Sequence, residues 1–414
     1  MVGGTVRILR GALDRLEALH PAIRLSLAWV ACVAPRAAFA ARFGVGHDYT
    51  YFLDGDTDSA WYPLYESLAS GLWAASGGRV RVHVAFHLAL HSLIGPLVYA
   101  LSKRLGLGGR TAWLAALGVA GLPYYVSVGA RQPQVGLTIV LMALLLLIFA
   151  AWKAERFGPG PGLLFALASA ALLTLRPNAA STIAALYGLA ALWTLARPRS
   201  RSIAAARPVV ASGVLLLLLT TGLAWRNLQR EGRFSPFTGN LGFNLYMGNN
   251  PQVGAYALRY DITSLQDTTA GGIPAEAAAT PLADRDRVFR RLALDYIRRH
   301  PLRSAWNAVL KSWRYWDVRL EDARLTPPLE NLAYTLPYLG YGSLALAGAW
   351  RLWSRRHDAL IVIGAVIVSY WLPHAVFFGT VRMRMTVEFL LVALAAAWLT
   401  SAAIETERAG SRSP

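Results

Sequence analysis

Long apolar runs dominate the chain, and polar residues do not interrupt them at the spacing of a strand or of a surface helix. The runs are roughly 17–25 residues long, which is the length a helix needs to cross a bilayer core of about 30 Å. The pattern predicts an all-α polytopic membrane protein with about ten transmembrane helices. The predicted spans are 24–42, 84–101, 112–130, 134–151, 162–176, 179–196, 208–226, 333–353, 359–378 and 386–404.

The predicted spans divide the chain into three parts. Residues 1–226 form an N-terminal transmembrane module of about seven spans, with a first outer loop at residues 43–83. Residues 227–332 form an extracytoplasmic loop domain. Residues 333–414 form a C-terminal module of about three spans and a tail.

The loop domain contains two amphipathic stretches. Apolar residues recur every three to four positions at 284–300, and this spacing predicts a helix that Pro301 ends or restarts. A second helix is predicted at 302–316, with Trp306 and Trp313 on one face and cations on the other. Such a helix suits the membrane interface, although a packed surface helix satisfies the same pattern.

Charge sets the predicted orientation of these spans. The chain is 55% hydrophobic and 15% charged, with a formal net charge of +18, whereas soluble domains carry about 25% charged residues. Lys and Arg concentrate at the termini and in the short loops of one side. The positive-inside rule therefore predicts cytoplasmic termini and an outward-facing first loop. No basic, aromatic module stands apart from the spans, which excludes a nucleic-acid partner.

The first outer loop carries three acidic residues in a chain poor in acids: Asp54, Asp56 and Asp58. In an extended segment, alternate residues face the same way, so the three carboxylates converge. A positioned carboxylate can accept the proton of an attacking hydroxyl group, as a general base does. A solvated turn or a calcium loop would also use these residues, but the Gly and Glu of an EF-hand are missing.

Cations on the outward side provide a second candidate group. Arg382 and Arg384 precede the last predicted span, and Arg176 ends the fifth. Arginine binds phosphate oxygens with two parallel hydrogen bonds, although a single Arg at a helix end more often reaches for lipid headgroups.

Two further segments carry polar groups. His83, His87 and His91 share one face of the second span, where they could bind zinc or serve as polar packing residues. The stretch 239–256 combines Gly, Asn and Pro with interleaved tyrosines. Its amide groups and aromatic rings are of the kinds that bind sugars. The same composition is also typical of an ordinary loop.

Four passages form a recognisable set: DGDTDSAWYPLYESLASG, LTLRPNA, GFNLYMGNNP and VRMRMTVEFLLVALAA. A fifth, LDYIRRHPLRSAWNAVLKSW, combines two helices around His-Pro with a downstream lysine. Together they resemble the GT-C superfamily of integral-membrane glycosyltransferases. The resemblance extends to glycosyltransferase family 39, which includes dolichyl-phosphate-mannose–protein mannosyltransferases, and to RgtA/B/C/D-like bacterial proteins.

The resemblance implies a sugar donor on polyprenyl phosphate and an acceptor hydroxyl on a glycan, lipid or protein. It implies an inverting transfer at the outer face of a bacterial cytoplasmic membrane, with a first-loop Asp as base. Asp58 ranks first because Tyr62 follows it by four residues, and Asp56 and Asp54 come next. The substrate-binding candidates are Arg382, Arg384, Lys311, Arg314, Arg176, Tyr246, Asn249, Asn250 and Tyr62.

The resemblance leaves some properties open. The resemblance implies no required cofactor, and it does not decide whether a divalent metal takes part in the reaction. The second span begins RVRVHVAFHLALH, where family members often have a Pro-rich, Tyr-containing stretch, so the identities of donor and acceptor stay open. The main alternative function is a lipid or lipid-linked-sugar transporter without transferase activity. A structural membrane protein with a partner-binding outer domain is the third.

Overall fold

The computed structural model describes residues 2–44, 63–196, 206–232, 234–236, 241–251, 253, 274–319 and 328–410. Every regular element in these ranges is helical, and they contain no strand. The predicted all-α fold is therefore confirmed for the described part of the chain.

The first half of the described chain forms eleven α-helices, with a 3-10 turn at Pro177–Ala179 between the ninth and the tenth. They are α1 (Val2–Ala18), α2 (Pro21–Phe43), α3 (Pro63–Ala75), α4 (Val80–His91), α5 (Ile94–Arg104), α6 (Gly109–Gly121), α7 (Pro123–Arg131), α8 (Pro133–Ala154), α9 (Pro159–Leu175), α10 (Ala180–Leu195) and α11 (Arg207–Glu231).

The second half contains the last long helices and residues 227–332, here called the outer segment because the charge pattern predicts that they face outward. Its described helices are α12 (Leu241–Gly248), α13 (Ala275–Ala279), α14 (Leu282–Arg299), α15 (Pro301–Tyr315), α16 (Pro328–Ser354), α17 (Asp358–Val376), α18 (Val381–Arg384) and α19 (Glu388–Gly410).

Six spans in the described ranges are long and apolar enough to cross a membrane: α2, α4 with α5, α8, the 3-10 turn with α10, α11 and α17. The pair α6 and α7, bent by 55° at its break, makes a seventh. The chain is thus an all-α polytopic membrane protein. The apolar helices α9 and α19 are shorter, and the count of ten spans stays a prediction.

The bend between α6 and α7 has a local cause. Pro123 has no backbone N–H and disfavours helical geometry in the residue before it. Leu122 accordingly adopts an extended conformation, with φ −65° and ψ 117°. The single span predicted at 112–130 is therefore two helices, and the bend carries α7 back toward the C-terminal module.

Close helix contacts in the bundle depend on small residues. A Cβ atom at Gly348 of α16 would lie 2.0 Å from the Leu394 carbonyl oxygen of α19. A Cβ at Gly95 of α5 would lie 2.5 Å from the Ala28 carbonyl oxygen of α2. Membrane helices associate through such contacts because lipid tails are as apolar as the helices and give no hydrophobic driving force.

The two amphipathic helices predicted in the outer segment are present as α14 and α15. On α15 the apolar side chains face outward: Leu302 is 87% exposed, Trp306 60% and Trp313 74%. Lys311 and Arg314 on the other face are buried. A helix packed on a soluble core would bury its apolar side chains and expose its cations. The opposite arrangement on α15 favours a position at the membrane interface.

Candidate active site

The predicted catalytic residues Asp54, Asp56 and Asp58, together with Tyr62, lie outside the described residues. Their roles therefore stay predictions. The described chain leaves the bundle at Gly44 and resumes at Pro63.

The helix after the acidic loop is fixed against the end of α9. Tyr65 of α3 is buried in one apolar cluster with Leu137 of α8 and Leu175 of α9. Leu175 is the last residue of α9, and the buried Arg176 follows it directly. The start of α3, which follows the acidic loop in sequence, therefore lies near Arg176, a cation predicted to bind phosphate.

The turn after Arg176 connects to α17. Nδ2 of Asn178 lies 2.8 Å from Nε2 of His374. His374 also lies within electrostatic range of the Arg176 guanidinium. The Arg-Pro-Asn turn is therefore held against the C-terminal end of α17.

His374 in turn contacts the last turn of α15. Its ring stacks on that of Tyr315, with the ring centroids 5.4 Å apart and the planes at 23°. Tyr315 is fully buried and follows Arg314 directly. Through this stack, residues of α9, α17 and α15 that are far apart in sequence meet at one end of the bundle.

Lys311 is buried one turn before Tyr315, and its ammonium group sits where two helices end. Nζ donates to the carbonyl oxygens of Gly248 at 2.9 Å, Val376 at 2.7 Å and Phe377 at 3.2 Å. Gly248 and Val376 are the last residues of α12 and α17, and helix C-termini attract cations. Burial lowers the pKa of Lys311 to about 8.

Arg384 holds the other side of this region. Its Nε donates to Oε1 of Glu388 at 2.8 Å, and Nη2 donates to the Tyr334 hydroxyl at 2.7 Å. Nη1 donates to the carbonyl oxygens of Tyr315 and Asp317. The guanidinium carbon also lies 3.9 Å from the centroid of the Tyr338 ring.

These contacts give Arg384 a positioning role, because protein groups surround its donors on every side. Burial alone would lower the pKa of Arg384, but the Tyr334 hydroxyl and the Glu388 carboxylate raise it above its ordinary value. Arg382, two residues earlier, is only half-buried, whereas Arg314 is buried beside Tyr315. Direct binding of a substrate phosphate by any of these cations stays a prediction.

The predicted sugar-binding residues of α12 and its end are also built into the packing. Nδ2 of Asn249 donates to the carbonyl oxygens of Leu245 at 2.9 Å and Val376 at 2.8 Å. Nδ2 of Asn250 donates to the Tyr246 carbonyl oxygen at 2.8 Å. The Tyr246 ring packs on Phe289 of α14, with centroids 5.4 Å apart.

The histidines of α4 form a packed row. The rings of His83 and His87 meet edge to face with centroids 4.6 Å apart, and His87 also packs on Tyr65. Nε2 of His91 lies 2.9 Å from the Pro133 carbonyl oxygen. Within the described ranges no three His, Cys, Asp or Glu side chains are grouped so that they could hold a metal ion. The packing interpretation of this row is the one that the contacts support.

Sequence reasoning did not single out His374, Tyr315, Tyr334 or Tyr338. His374 is a lone polar residue in an apolar span, and such residues in membrane helices often face the bundle interior. The tyrosines gave no such indication, because aromatic residues are common at both membrane interfaces.

No protein-family model, curated protein or solved structure matches this chain. The described geometry is a group of buried cations and aromatic rings at the end of the bundle where the acidic loop emerges. Chemically, such a site can hold an anionic leaving group and exclude water around it. The two described carboxylates of this region are already paired, Glu388 with Arg384 and Asp317 with Arg319.

Proposed function

We propose that this protein is a glycosyltransferase that moves a sugar from a polyprenyl-phosphate donor to an acceptor hydroxyl. The transfer takes place at the outer face of the cytoplasmic membrane and inverts the anomeric carbon. An Asp of the first outer loop, with Asp58 ranked first, is the base. The single observation that supports the proposal is that Tyr65, shortly after the acidic loop in sequence, shares a buried apolar cluster with Leu175, the residue before Arg176.

The cation cluster suits the leaving group of this reaction. Arg176, Lys311 and Arg314 are buried at one end of the bundle, and Arg382 is half-buried beside them. A departing lipid phosphate gains negative charge as its bond to the sugar breaks. Cations in a water-poor site stabilise that charge more strongly than they would in water.

The exposed face of α15 suits the lipid part of the donor. Trp306 and Trp313 point away from the protein while Lys311 points into it. Tryptophans prefer the headgroup level of a bilayer. This arrangement supports a membrane-anchored donor, whose phosphate would lie at the depth of the buried cations.

The proposed step is one displacement. The acceptor oxygen attacks the anomeric carbon as its proton passes to the Asp carboxylate. The bond from that carbon to the phosphate oxygen breaks, and the lipid phosphate leaves with the electron pair. General-base assistance of this kind contributes about 10²- to 10⁴-fold to a rate.

The test uses the purified full chain in lipid vesicles with polyprenyl-phosphate sugars and a panel of hydroxyl acceptors. Release of lipid phosphate is followed for wild type and for Asp58→Asn, Asp56→Asn and Asp54→Asn. We expect at least a 100-fold loss of turnover in one of the three, with Asp58→Asn the first choice.

Asp295→Asn is the matched control, since Asp295 is an outer-segment acid at the surface, 3.7 Å from Arg298. It should leave turnover unchanged. Full turnover in the triple Asn variant would rule out the first-loop base. Movement of the lipid-linked sugar across the vesicle membrane without cleavage would favour the transporter alternative.

A further inference from the structure

A cavity lies at the opposite end of the bundle from the candidate active site. Its volume is about 500 Å³, within the range of small-molecule sites. It is formed where α2 begins and where α5 and α8 end. This is the end of the bundle that carries the basic short loops, and the charge pattern predicts that it faces the cytoplasm.

One side of the cavity is cationic. Arg24, Lys103 and Arg104 line it, and Glu17 of α1 pairs with the first two of them. Glu17 pairs with Lys103, lies 3.0 Å from Nη1 of Arg24 and accepts a hydrogen bond from the Tyr99 hydroxyl at 2.7 Å. Three cations and one carboxylate leave a surplus of two positive charges.

Part of this cationic side has no protein partner within the described chain. Nε of Arg24 is buried and makes no hydrogen bond there. Arg104 is exposed and pairs with none of the described acidic side chains. A buried donor without an acceptor costs free energy, so the site gains from an anion that brings oxygen atoms.

The other side of the cavity is apolar. Leu25 of α2 and Leu147 and Ile148 of α8 line it, and all three side chains are at least partly accessible. Both helices are candidate membrane spans. A free phosphate or nucleotide would gain nothing from this wall, whereas an acyl chain running along the spans would cover it.

We propose that this cavity binds an anionic phospholipid from the leaflet that the basic loops face. The headgroup phosphate sits among Arg24, Lys103 and Arg104, and an acyl chain lies against Leu25, Leu147 and Ile148. Basic pockets between membrane helices bind anionic headgroups in this manner. The site does not depend on the proposed transferase activity.

Glu17 tunes the affinity of the site. Burial by itself would raise the pKa of Glu17, but hydrogen bonds from Lys103 and Tyr99 and the nearby charges lower it overall. Glu17 is therefore ionised at neutral pH and competes with the lipid phosphate for Arg24 and Lys103. Its neutralisation strengthens lipid binding, while loss of the cations weakens it.

The experiment is native mass spectrometry of the purified full chain in detergent with added phosphatidylglycerol or phosphatidylcholine. Wild type should retain phosphatidylglycerol in preference to phosphatidylcholine. Lys103→Gln/Arg104→Gln should retain about 10- to 30-fold less phosphatidylglycerol, and Glu17→Gln should retain more than wild type. Lys103→Arg/Arg104→Lys keeps the charge and should keep the lipid.

Arg156→Gln/Arg356→Gln is the matched control, because it removes two exposed cations at the same end of the bundle but outside the cavity. It should retain the lipid as wild type does. Equal retention of both lipids by wild type would overturn the proposal. Equal loss in both double Gln variants would also overturn it, as would displacement of the lipid by an equal concentration of glycerol phosphate.

Discussion

The imidazole of His374 is held by contacts at both of its nitrogens. Nε2 lies 2.8 Å from the amide nitrogen of Asn178, and Nδ1 lies 3.1 Å from the carbonyl oxygen of Phe378. The two contacts fit the neutral tautomer with its hydrogen on Nδ1, which donates to the carbonyl while Nε2 accepts from the amide. This ring therefore fixes the turn of Arg176 to the end of α17.

Replacing Asn178 with Ala should weaken both stability and turnover. It leaves Nε2 of His374 buried without its donor, which costs about 1–3 kcal/mol. We expect a lower midpoint of thermal unfolding in detergent and slower release of lipid phosphate. Thr174→Ala is the control, because that hydroxyl bonds only to the Ala171 carbonyl within α9. If both variants melt alike, the contact with His374 does not hold the turn.

Lys311 should make stability depend on pH above neutrality. Its pKa is about 8 in the folded protein and near 10.5 when exposed. Between these values the unfolded chain holds the proton that the folded one has released, so the contribution of this group to stability rises with pH. Thermal unfolding from pH 7 to 10 should show this rise in wild type and in Lys153→Met.

Lys311→Met should remove that pH dependence and lower stability by about 2–3 kcal/mol at pH 7, because three buried carbonyl oxygens lose a donor. An unchanged pH profile in Lys311→Met would assign the dependence to another group.

Arg384 and Glu388 should behave as a coupled pair. Arg384→Met leaves the buried Glu388 carboxylate without its cation and should cost about 3–5 kcal/mol. Arg384→Met/Glu388→Leu removes both charges and should recover much of that loss, as measured by the midpoint of thermal unfolding. A double variant as unstable as Arg384→Met would instead assign the cost to the carbonyls of Tyr315 and Asp317.

Gly248→Ala should prevent correct packing at the end of α12. A Cβ there would lie 1.3 Å from the Phe377 carbonyl oxygen, a distance that only backbone movement can relieve. We expect little monodisperse protein by size-exclusion chromatography. Gly188→Ala in α10 is the control, since nothing lies within 4 Å of its added Cβ, and helix propensity favours Ala. Normal yield of Gly248→Ala would mean that α12 can shift freely.

The outward face of α15 should lie in lipid. Cys32 is the sole cysteine of the chain, so Trp306→Cys in a Cys32→Ser background can carry one environment-sensitive fluorophore. Its emission in vesicles should be blue-shifted and quenched by headgroup-level quenchers. The same label at Arg298→Cys, an exposed position of α14, should report water. Matching emission at both positions would contradict an interfacial α15.

The sequence predicted the helices well because their apolar runs and prolines act locally. The break at Pro301 and the two amphipathic helices around it follow from residue spacing alone. The candidate site was harder to predict. Arg176 and Lys311 were identifiable as cations near the predicted outer face, but the neighbours of Lys311 are 63 to 66 positions away in sequence, and His374 near Arg176 is further still.

Arg384 shows most clearly why the partners of a site residue could not be predicted from the local sequence. An arginine two residues after another at the start of a span suggests a phosphate ligand. Its actual partners, Tyr315, Asp317, Tyr334 and Glu388, lie on three different helices or their ends. No local pattern distinguishes an arginine that binds a substrate from one that ties helices together.

The Tyr125 hydroxyl connects α7 to the start of α19. It donates to the Met385 carbonyl oxygen at 2.6 Å and accepts from the Phe389 N–H at 3.0 Å, where α19 begins. The first turn of α19 is therefore completed by a side chain of α7. During synthesis, this end of α19 reaches its final position only when α7 is already in place. Two fragments divided between these helices would each carry only one side of this contact.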